Sequence, residues 1–281
     1  GGYIAAPAIL AARSLGLPVV LHESNAIPGK VTRWFSPWCS VTAIGFVEAA
    51  RYLPKVTTLH VGTPVRHAFR APDKASPLDL PIPDGAPLIV VVGGSQGAVA
   101  VNQLVRQAAP AWLEAGAWVV HLTGENDPDA KSLVHPHYQA LPFYDNMAAL
   151  LNRATFAISR AGSGSLTELA ATHTPAILIP YPYAAEDHQT YNARVFEAAG
   201  AAIVCQQAEL TPERLAAEGL RLLRSQFPDI TQTAPQTDTA IPSQQSIPLQ
   251  AMATQAATLA MTDSAERMAI MLRQLLQTDA S

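Results

Sequence analysis

At a prior of about 150 residues per domain, the 281-residue chain makes about two domains, each able to bury its own core, and a small disulfide- or metal-stapled module is excluded. Eighteen basic against 22 acidic residues leave a net charge of -4, which excludes a protein that grips a phosphate backbone along its length. Two cysteines far apart, Cys39 and Cys205, point to a reducing compartment and away from a thiolate metal site. No apolar run reaches the roughly 18 to 20 residues that a membrane-spanning helix needs.

The chain starts abruptly at Gly1-Gly2-Tyr3, without initiator methionine or signal-peptide pattern, and reads as lacking an N-terminal part. Residues 4–15 are Ala-rich with helical spacing, Gly16 can end that helix, and Pro18-Val19-Val20-Leu21-His22 reads as a short buried strand. The pattern then predicts a short helix over 31–38, a strand over 41–44, a helix over 47–53 and a strand over 57–61. Between Pro64 and Pro87 the periodicity disappears while Pro72, Pro77, Pro81 and Pro83 accumulate, the composition of a linker. An N-terminal unit is therefore expected over 1–66 and a linker over 67–87.

Leu88-Ile89-Val90-Val91-Val92 is the clearest buried parallel strand, running into Gly93-Gly94-Ser95-Gln96-Gly97 and a helix over 98–109. Further strands are predicted at 118–122, 156–159, 176–179 and 202–204. With helical stretches between them, they imply a parallel sheet covered on both faces, in a C-terminal unit over 88–228. Residues 229–262 carry no lysine, arginine or aromatic residue; their first part, 229–248, is expected to be a disordered insertion. Helices over 249–281 close the chain.

Two strand, glycine loop, helix junctions concentrate the chemistry: Gly93-Gly94-Ser95-Gln96-Gly97, and Arg160-Ala161-Gly162-Ser163-Gly164-Ser165 followed by Leu166-Thr167-Glu168. Such loops bring backbone N–H groups and the positive end of a helix dipole to an anion, at the carboxyl edge of a sheet. Neither matches the dinucleotide or P-loop pattern; tight turns alone are the alternative. Glu168 is spaced to meet both ribose hydroxyls of a nucleotide held there, and Ser165-x-x-Glu168 is equally a capping box. Glu186-Asp187-His188-Gln189-Thr190-Tyr191-Asn192 offers the density of polar groups that a sugar needs, or a polar turn. His22-Glu23-Ser24-Asn25 follows a strand of the first unit and could face the second across a cleft, or be a turn.

Asp127-Pro128-Asp129 imitates a metal-binding Asp-x-Asp, and His135-Pro136-His137 a zinc pair; turn geometry and missing partners discount both, and no metal is expected. Lys30, Arg33, Trp34, Phe35 and Trp38 suit an anionic membrane surface, although a helix burying its tryptophans in a core is the commoner arrangement.

Taken together, Gly1-Gly2-Tyr3, Val20-Leu21-His22-Glu23-Ser24-Asn25, Gly62-Thr63-Pro64-Val65-Arg66, the two glycine loops with Glu168, and His188-Gln189-x-x-Asn192-Ala193 resemble the MurG family of peptidoglycan N-acetylglucosaminyltransferases. The resemblance covers most of the chain outside the insertion. It implies an α/β fold of the GT-B type, two Rossmann-like domains with parallel sheets facing a cleft, the N-terminal one incomplete here. It implies an inverting transferase that needs no cofactor or metal and moves GlcNAc from UDP-GlcNAc to the 4-hydroxyl of MurNAc-pentapeptide on undecaprenyl diphosphate. The cytoplasmic face of the bacterial plasma membrane, with peripheral contact to anionic lipid and no nucleic acid, is the implied setting.

Carried over by position, Asn25 would touch the donor sugar, Arg66 and Ser95 its diphosphate, and Tyr144, after Phe143, the uracil through its backbone. Ser163, Gly164 and Ser165, with Leu166 and Thr167 behind them, would cradle the diphosphate, Glu168 would bind the ribose, and Gln189 with His188 the GlcNAc hydroxyls. Glu23 and His22 would be the bases at hand. A donor-binding but inactive fragment, or another GT-B enzyme using UDP-GlcNAc such as a 2-epimerase, are the alternatives.

Overall fold

The computed structural model describes residues 3–70, 77–94, 98–231 and 247–278. Three short parallel strands come first, β1 (Val20–Glu23), β2 (Val41–Ile44) and β3 (Thr58–His60), side by side in chain order. Helix α1 (Ala5–Ser14) precedes β1, and Ile9 buries itself against Val19 and Leu21. Helix α2 (Lys30–Phe35) joins β1 to β2 and is shorter than the spacing predicts: Pro37 follows it within a 3-10 turn, Ser36–Trp38, because proline fits only the first turn of a helix. The helix expected over 47–53 is a 3-10 helix, Val47–Tyr52. Trp34 and Trp38 are 66% and 48% exposed, so the core arrangement of these tryptophans is overturned. A helix of under two turns buries one narrow face, and Val31 and Thr32 occupy it.

The proline-rich stretch is not free-standing where it is described. Helix α3 (His67–Arg70) lies within it with Phe69 fully buried, and Leu78, Leu80 and Ile82 pack on the core of the following sheet.

That sheet has six parallel strands: β4 (Leu88–Val92), β5 (Trp118–Leu122), β6 (Tyr138–Leu141), β7 (Phe156–Ser159), β8 (Ala176–Leu178) and β9 (Ala202–Val204). Their spatial order is β6-β5-β4-β7-β8-β9. Counted from β4 this is 3-2-1-4-5-6, the doubly wound order whose direction reverses between β4 and β7. Successive side chains of a strand face opposite ways, and β4 serves two cores. Ile89 and Val91 join helix α4 (Val99–Glu114) on one face, while Leu88 and Val90 join α5 (Met147–Arg153) and α6 (Ser163–Ala171) on the other. Strand β6 and helix α5 had no separate sequence prediction; β6 is a four-residue edge strand with only Tyr138 buried.

Helix α7 (His188–Ala199) covers the α5–α6 face, and α8 (Pro212–Gln226) lies on α4. Gly219 makes that contact possible: a Cβ there would stand 2.4 Å from Trp112 Nε1, which donates to the Ala216 carbonyl. The insertion expected over 229–248 falls mostly on residues 232–246, outside the described residues. Helix α9 (Leu249–Thr258) packs on the second unit, and α10 (Ser264–Thr278) returns to the first, where Met268, Met271 and Leu275 meet Val41, Ala43 and Val61.

Candidate functional site

Both glycine loops leave strands at the reversal point, Gly93-Gly94 after β4 and 160–162 after β7. Crossovers diverge there to opposite faces and open a crevice at the carboxyl ends. A cleft of about 500 Å³ occupies it, walled by Gly93, Gly94, Arg160, Gly162, Ser165 and Gln189 among others.

Helix α6 begins at this cleft. Its N-cap is Gly162, no side chain caps it, and the first N–H with an acceptor inside the helix is that of Leu166, bonded to Gly162 O. The N–H groups of Ser163, Gly164 and Ser165 thus carry the positive end of the helix toward the cleft. A Cβ added at Gly162 or Gly164 would meet nothing within 4 Å, and neither glycine has positive φ. Nothing inside the protein asks for glycine at these two positions; open space over a helix N-terminus is what a close-approaching anion requires. The capping-box alternative is excluded, since Ser165 lies inside the helix and Glu168 pairs with Arg66 instead, Nη2 to Oε1 3.2 Å. Burial pushes the Glu168 carboxyl above its ordinary value of 4.5, with the Arg66 guanidinium pulling the other way.

Leu166 is corrected by the structure: its side chain is fully buried and its N–H is spent on Gly162 O, so it has no polar group left for a ligand. Thr167 donates to Ser163 O at 2.7 Å and lines a separate cavity of about 160 Å³ with Gly45 and His60. Ser95 lies outside the described residues. Tyr144 is buried, its hydroxyl bonded to Asp79. Burial and that carboxylate push its pKa up to about 12, while the neighbouring Phe143 ring is 65% exposed.

On the far wall, the amide of Gln189 is fixed by backbone, Oε1 accepting from Ala161 N (3.1 Å) and Tyr181 N (3.0 Å). His188 bonds Ala185 O through Nδ1 at 2.8 Å and faces a different recess, of about 400 Å³, shared with Asn25 and Lys30. Asn192, fully buried, links the two units. Its Oδ1 accepts from Ala26 N (2.8 Å), and its Nδ2 donates to Asn25 Oδ1 (3.0 Å) and Ala161 O (3.2 Å). Arg33 pairs with Glu186 across the same boundary.

Glu23 is corrected as a base, while His22 keeps one ring nitrogen as an acceptor. The Glu23 carboxylate is 4% exposed and saturated: Oε1 accepts from the N–H and Nδ2 of Asn25, both at 3.1 Å, and Oε2 from Gly29 N (3.1 Å) and Thr32 Oγ1 (2.8 Å). Four donors fill the four lone-pair directions of a carboxylate. His22 Nε2 donates to Gly62 O at 2.9 Å, which leaves Nδ1 to accept from Ser24 Oγ at 3.4 Å. Both residues shape the loop that presents Asn25.

Asp127 of the Asp-x-Asp sequence is claimed by Arg106 (2.6 Å) and Asn102 (2.6 Å). Asn102 Oδ1 in turn accepts from Nε2 of the buried His121, whose pKa burial pushes down to about 4. Sequence reasoning set Asn192 and Arg160 within candidate segments and gave neither a role at the site. The signal for Asn192 was its place three positions after Gln189 on one helix face, and for Arg160 a cation ending an apolar strand just before a glycine loop.

Comparison with known proteins agrees with this architecture. Residues 88–266 match the glycosyltransferase family 28 C-terminal domain, and residues 1–44 the glycosyltransferase family 28 N-terminal domain. The UDP-N-acetylglucosamine--N-acetylmuramyl-(pentapeptide) pyrophosphoryl-undecaprenol N-acetylglucosamine transferase of Trichormus variabilis is 60% identical over 277 residues, 99% of this chain and 72% of the relative. The protein of the same name from Synechococcus elongatus is 56% identical over 98% of this chain and 72% of its own length. Among solved structures, Acinetobacter baumannii MurG superposes with a TM-score of 0.72 at 27% identity, covering 98% of this chain and 72% of that one. With two parallel α/β sheets meeting at a cleft, the fold is GT-B, and the chain belongs to glycosyltransferase family 28, in its MurG family of UDP-N-acetylglucosamine-dependent transferases.

Proposed function

We propose that the chain moves GlcNAc from UDP-GlcNAc to the 4-hydroxyl of MurNAc-pentapeptide on undecaprenyl diphosphate, with inversion at the anomeric carbon. The observation that carries this is the uncapped N-terminus of α6 with glycines over it and Glu168 one turn behind. That spacing suits a diphosphate at Ser163, Gly164 and Ser165 and a ribose at Glu168.

In the reaction the acceptor oxygen forms a bond to C1 of GlcNAc on the face opposite UDP, and the bond from C1 to the β-phosphate oxygen breaks with its electron pair going to UDP. The hydroxyl proton leaves to a base other than the saturated Glu23. Charge grows on the departing diphosphate, where the α6 N–H groups and Arg66 stabilise it; one donor of this kind is worth about 3 to 4 kcal/mol of barrier. Gln189 meets the sugar from the cleft and Asn25 from the adjoining recess shared with His188, the two linked through Asn192. Tyr144, pinned by Asp79, offers its backbone to the uracil, and Ser95, carried over by its position in the sequence alone, serves the diphosphate. We place the N-terminal unit over 1–66 on the acceptor side and the unit over 88–228 on the donor side.

The membrane meets the first unit in this proposal, through the exposed Ile4, Leu10, Leu15, Trp34 and Trp38 beside Lys30 and Arg33. Peripheral contact at the cytoplasmic face is the arrangement meant, and no helix among the described residues is long and apolar enough to cross a bilayer.

Gly164→Ala tests the cradle. Alanine is the better helix former by about 1 kcal/mol and meets no neighbour, so thermal stability holds or rises. Calorimetry should show UDP binding weakened about tenfold or more, because the methyl group stands where the phosphate comes. Unchanged UDP affinity would remove the diphosphate from this helix. Transfer of labelled GlcNAc to the lipid-linked acceptor is the expected activity; conversion of UDP-GlcNAc without acceptor would instead identify an epimerase.

A further inference from the structure

Gln189 reaches the cleft with half of its amide already committed. Its Oε1 accepts from Ala161 N and Tyr181 N, which uses both lone pairs of the oxygen and leaves Nε2 for a ligand. The residue can therefore read the sugar only as a donor, to a hydroxyl or acetamido oxygen. This orientation lasts only while two backbone segments, 160–161 after β7 and 179–181 after β8, keep their relative position.

Arg160 ties those segments together. It is 8% exposed, and its Nη1 donates to the carbonyls of Ile179 and Pro180, each at 3.1 Å. Its Nη2 donates to Gln207 Oε1 at 2.7 Å, beyond β9, and its guanidinium carbon stands 5.4 Å from the centre of the Tyr181 ring. All the acceptors are neutral. Burying a cation without an anion beside it costs stability, and that burial pushes the Arg160 pKa down. What the guanidinium offers in return is shape: a rigid planar fork that reaches acceptors on two loops at once, which an ammonium on a flexible stem cannot do.

We infer that Arg160 is a positioning residue for donor-sugar recognition. It fixes the 179–181 segment so that the Tyr181 and Ala161 N–H groups clamp Gln189 Oε1 and aim Nε2 at the sugar. The inference rests on the donor site proposed above. It predicts that losing the fork removes recognition of the sugar and spares recognition of the nucleotide.

The experiment is calorimetry with UDP and UDP-GlcNAc on the wild-type chain, Gln189→Ala, Arg160→Lys and the double variant. Gln189→Ala should lower the affinity for UDP-GlcNAc relative to UDP by about three- to tenfold, the range of one lost hydrogen bond. Arg160→Lys, which keeps the charge, should lower that ratio to a similar extent while the UDP affinity stays within about twofold, and the double variant should be no worse than Gln189→Ala alone. A gentler variant, Gln207→Ala, removes one acceptor of the fork from a half-buried surface position and should move the ratio the same way by a smaller factor, with the fold intact by circular dichroism.

Equal losses for UDP and UDP-GlcNAc in Arg160→Lys would assign the residue to the diphosphate or to the fold and overturn the inference. So would additive effects in the double variant, or an unchanged ratio in Gln189→Ala or Gln207→Ala. Absence of any nucleotide binding by the wild-type chain is a different result, because it would remove the donor site itself.

Discussion

Glu168 meets a ribose, in the proposed complex, as a carboxylate that burial has made harder to ionise. The ionised form offers a charged oxygen to each sugar hydroxyl, and hydrogen bonds to a charged group are worth about 1.5 to 3 kcal/mol, more than those to the neutral acid. The raised pKa then fixes the sign of the pH dependence. As pH falls, the proton competes with the ribose earlier than it would at an ordinary glutamate, so UDP affinity should decline with a midpoint above 4.5. Glu168→Gln should weaken UDP binding about tenfold or more and flatten that decline; a pH profile identical in the two proteins would show that another group titrates. The residue scale also separates look-alikes. Glu23 is a fully buried glutamate at the end of β1 and Glu168 a half-buried one in the second turn of α6; four neutral donors occupy Glu23, whereas among the described residues Glu168 pairs with the half-exposed Arg66.

At the scale of elements, helix α6 depends on having no cap, and the α4–α8 pair depends on having no side chain at one position. Gly219→Ala sets two effects against each other. Helix propensity favours alanine by about 1 kcal/mol. The new Cβ would press on Trp112 at 2.4 to 2.7 Å, and overpacking a dense core costs about 1 to 3 kcal/mol. Trp112 is fully buried and its Nε1 is held by Ala216 O, so it has no room to yield and the clash should win. Chemical denaturation should show a net loss of up to about 2 kcal/mol with the UDP affinity unchanged; a stabilised variant would mean that the helices slide apart freely. Much of this scale was legible in the chain. Leu88–Val92 and Phe156–Ser159 were read as strands because unbroken apolar runs of that length fit a sheet covered on both faces. Strand β6 was not separately predicted, since an edge strand with one buried residue carries no such run.

Across the whole molecule, the two units are joined by polar links at Asn192, Arg33–Glu186, Arg66–Glu168 and Arg70–Glu266 and by α10, whose methionines complete the core of the first sheet. Trp34 and Trp38 lie outside all of these contacts, with Lys30 on the short helix that carries Trp34. Anionic vesicles should therefore retain the chain in sedimentation better than zwitterionic ones, and Trp34→Ala with Trp38→Ala should release it without changing UDP binding. Equal retention by both lipids, or by wild type and variant, would move the membrane contact elsewhere.

The linear chain by itself determined the α/β class, the two glycine loops and the polar segments around Asn25 and Gln189, because periodicity and glycine-rich junctions are local properties that survive without knowledge of neighbours. Tertiary structure decided what each group has left to offer a ligand. Glu23 is exhausted by Asn25, Gly29 and Thr32, Gln189 is reduced to a donor by two N–H groups from different loops, and Asn192 becomes the bridge between units separated by more than 160 positions. Hydrogen-bond capacity is finite and is spent on whichever partners the fold brings near, so the residue type names the chemistry a side chain could do and its neighbours determine how much of that chemistry remains.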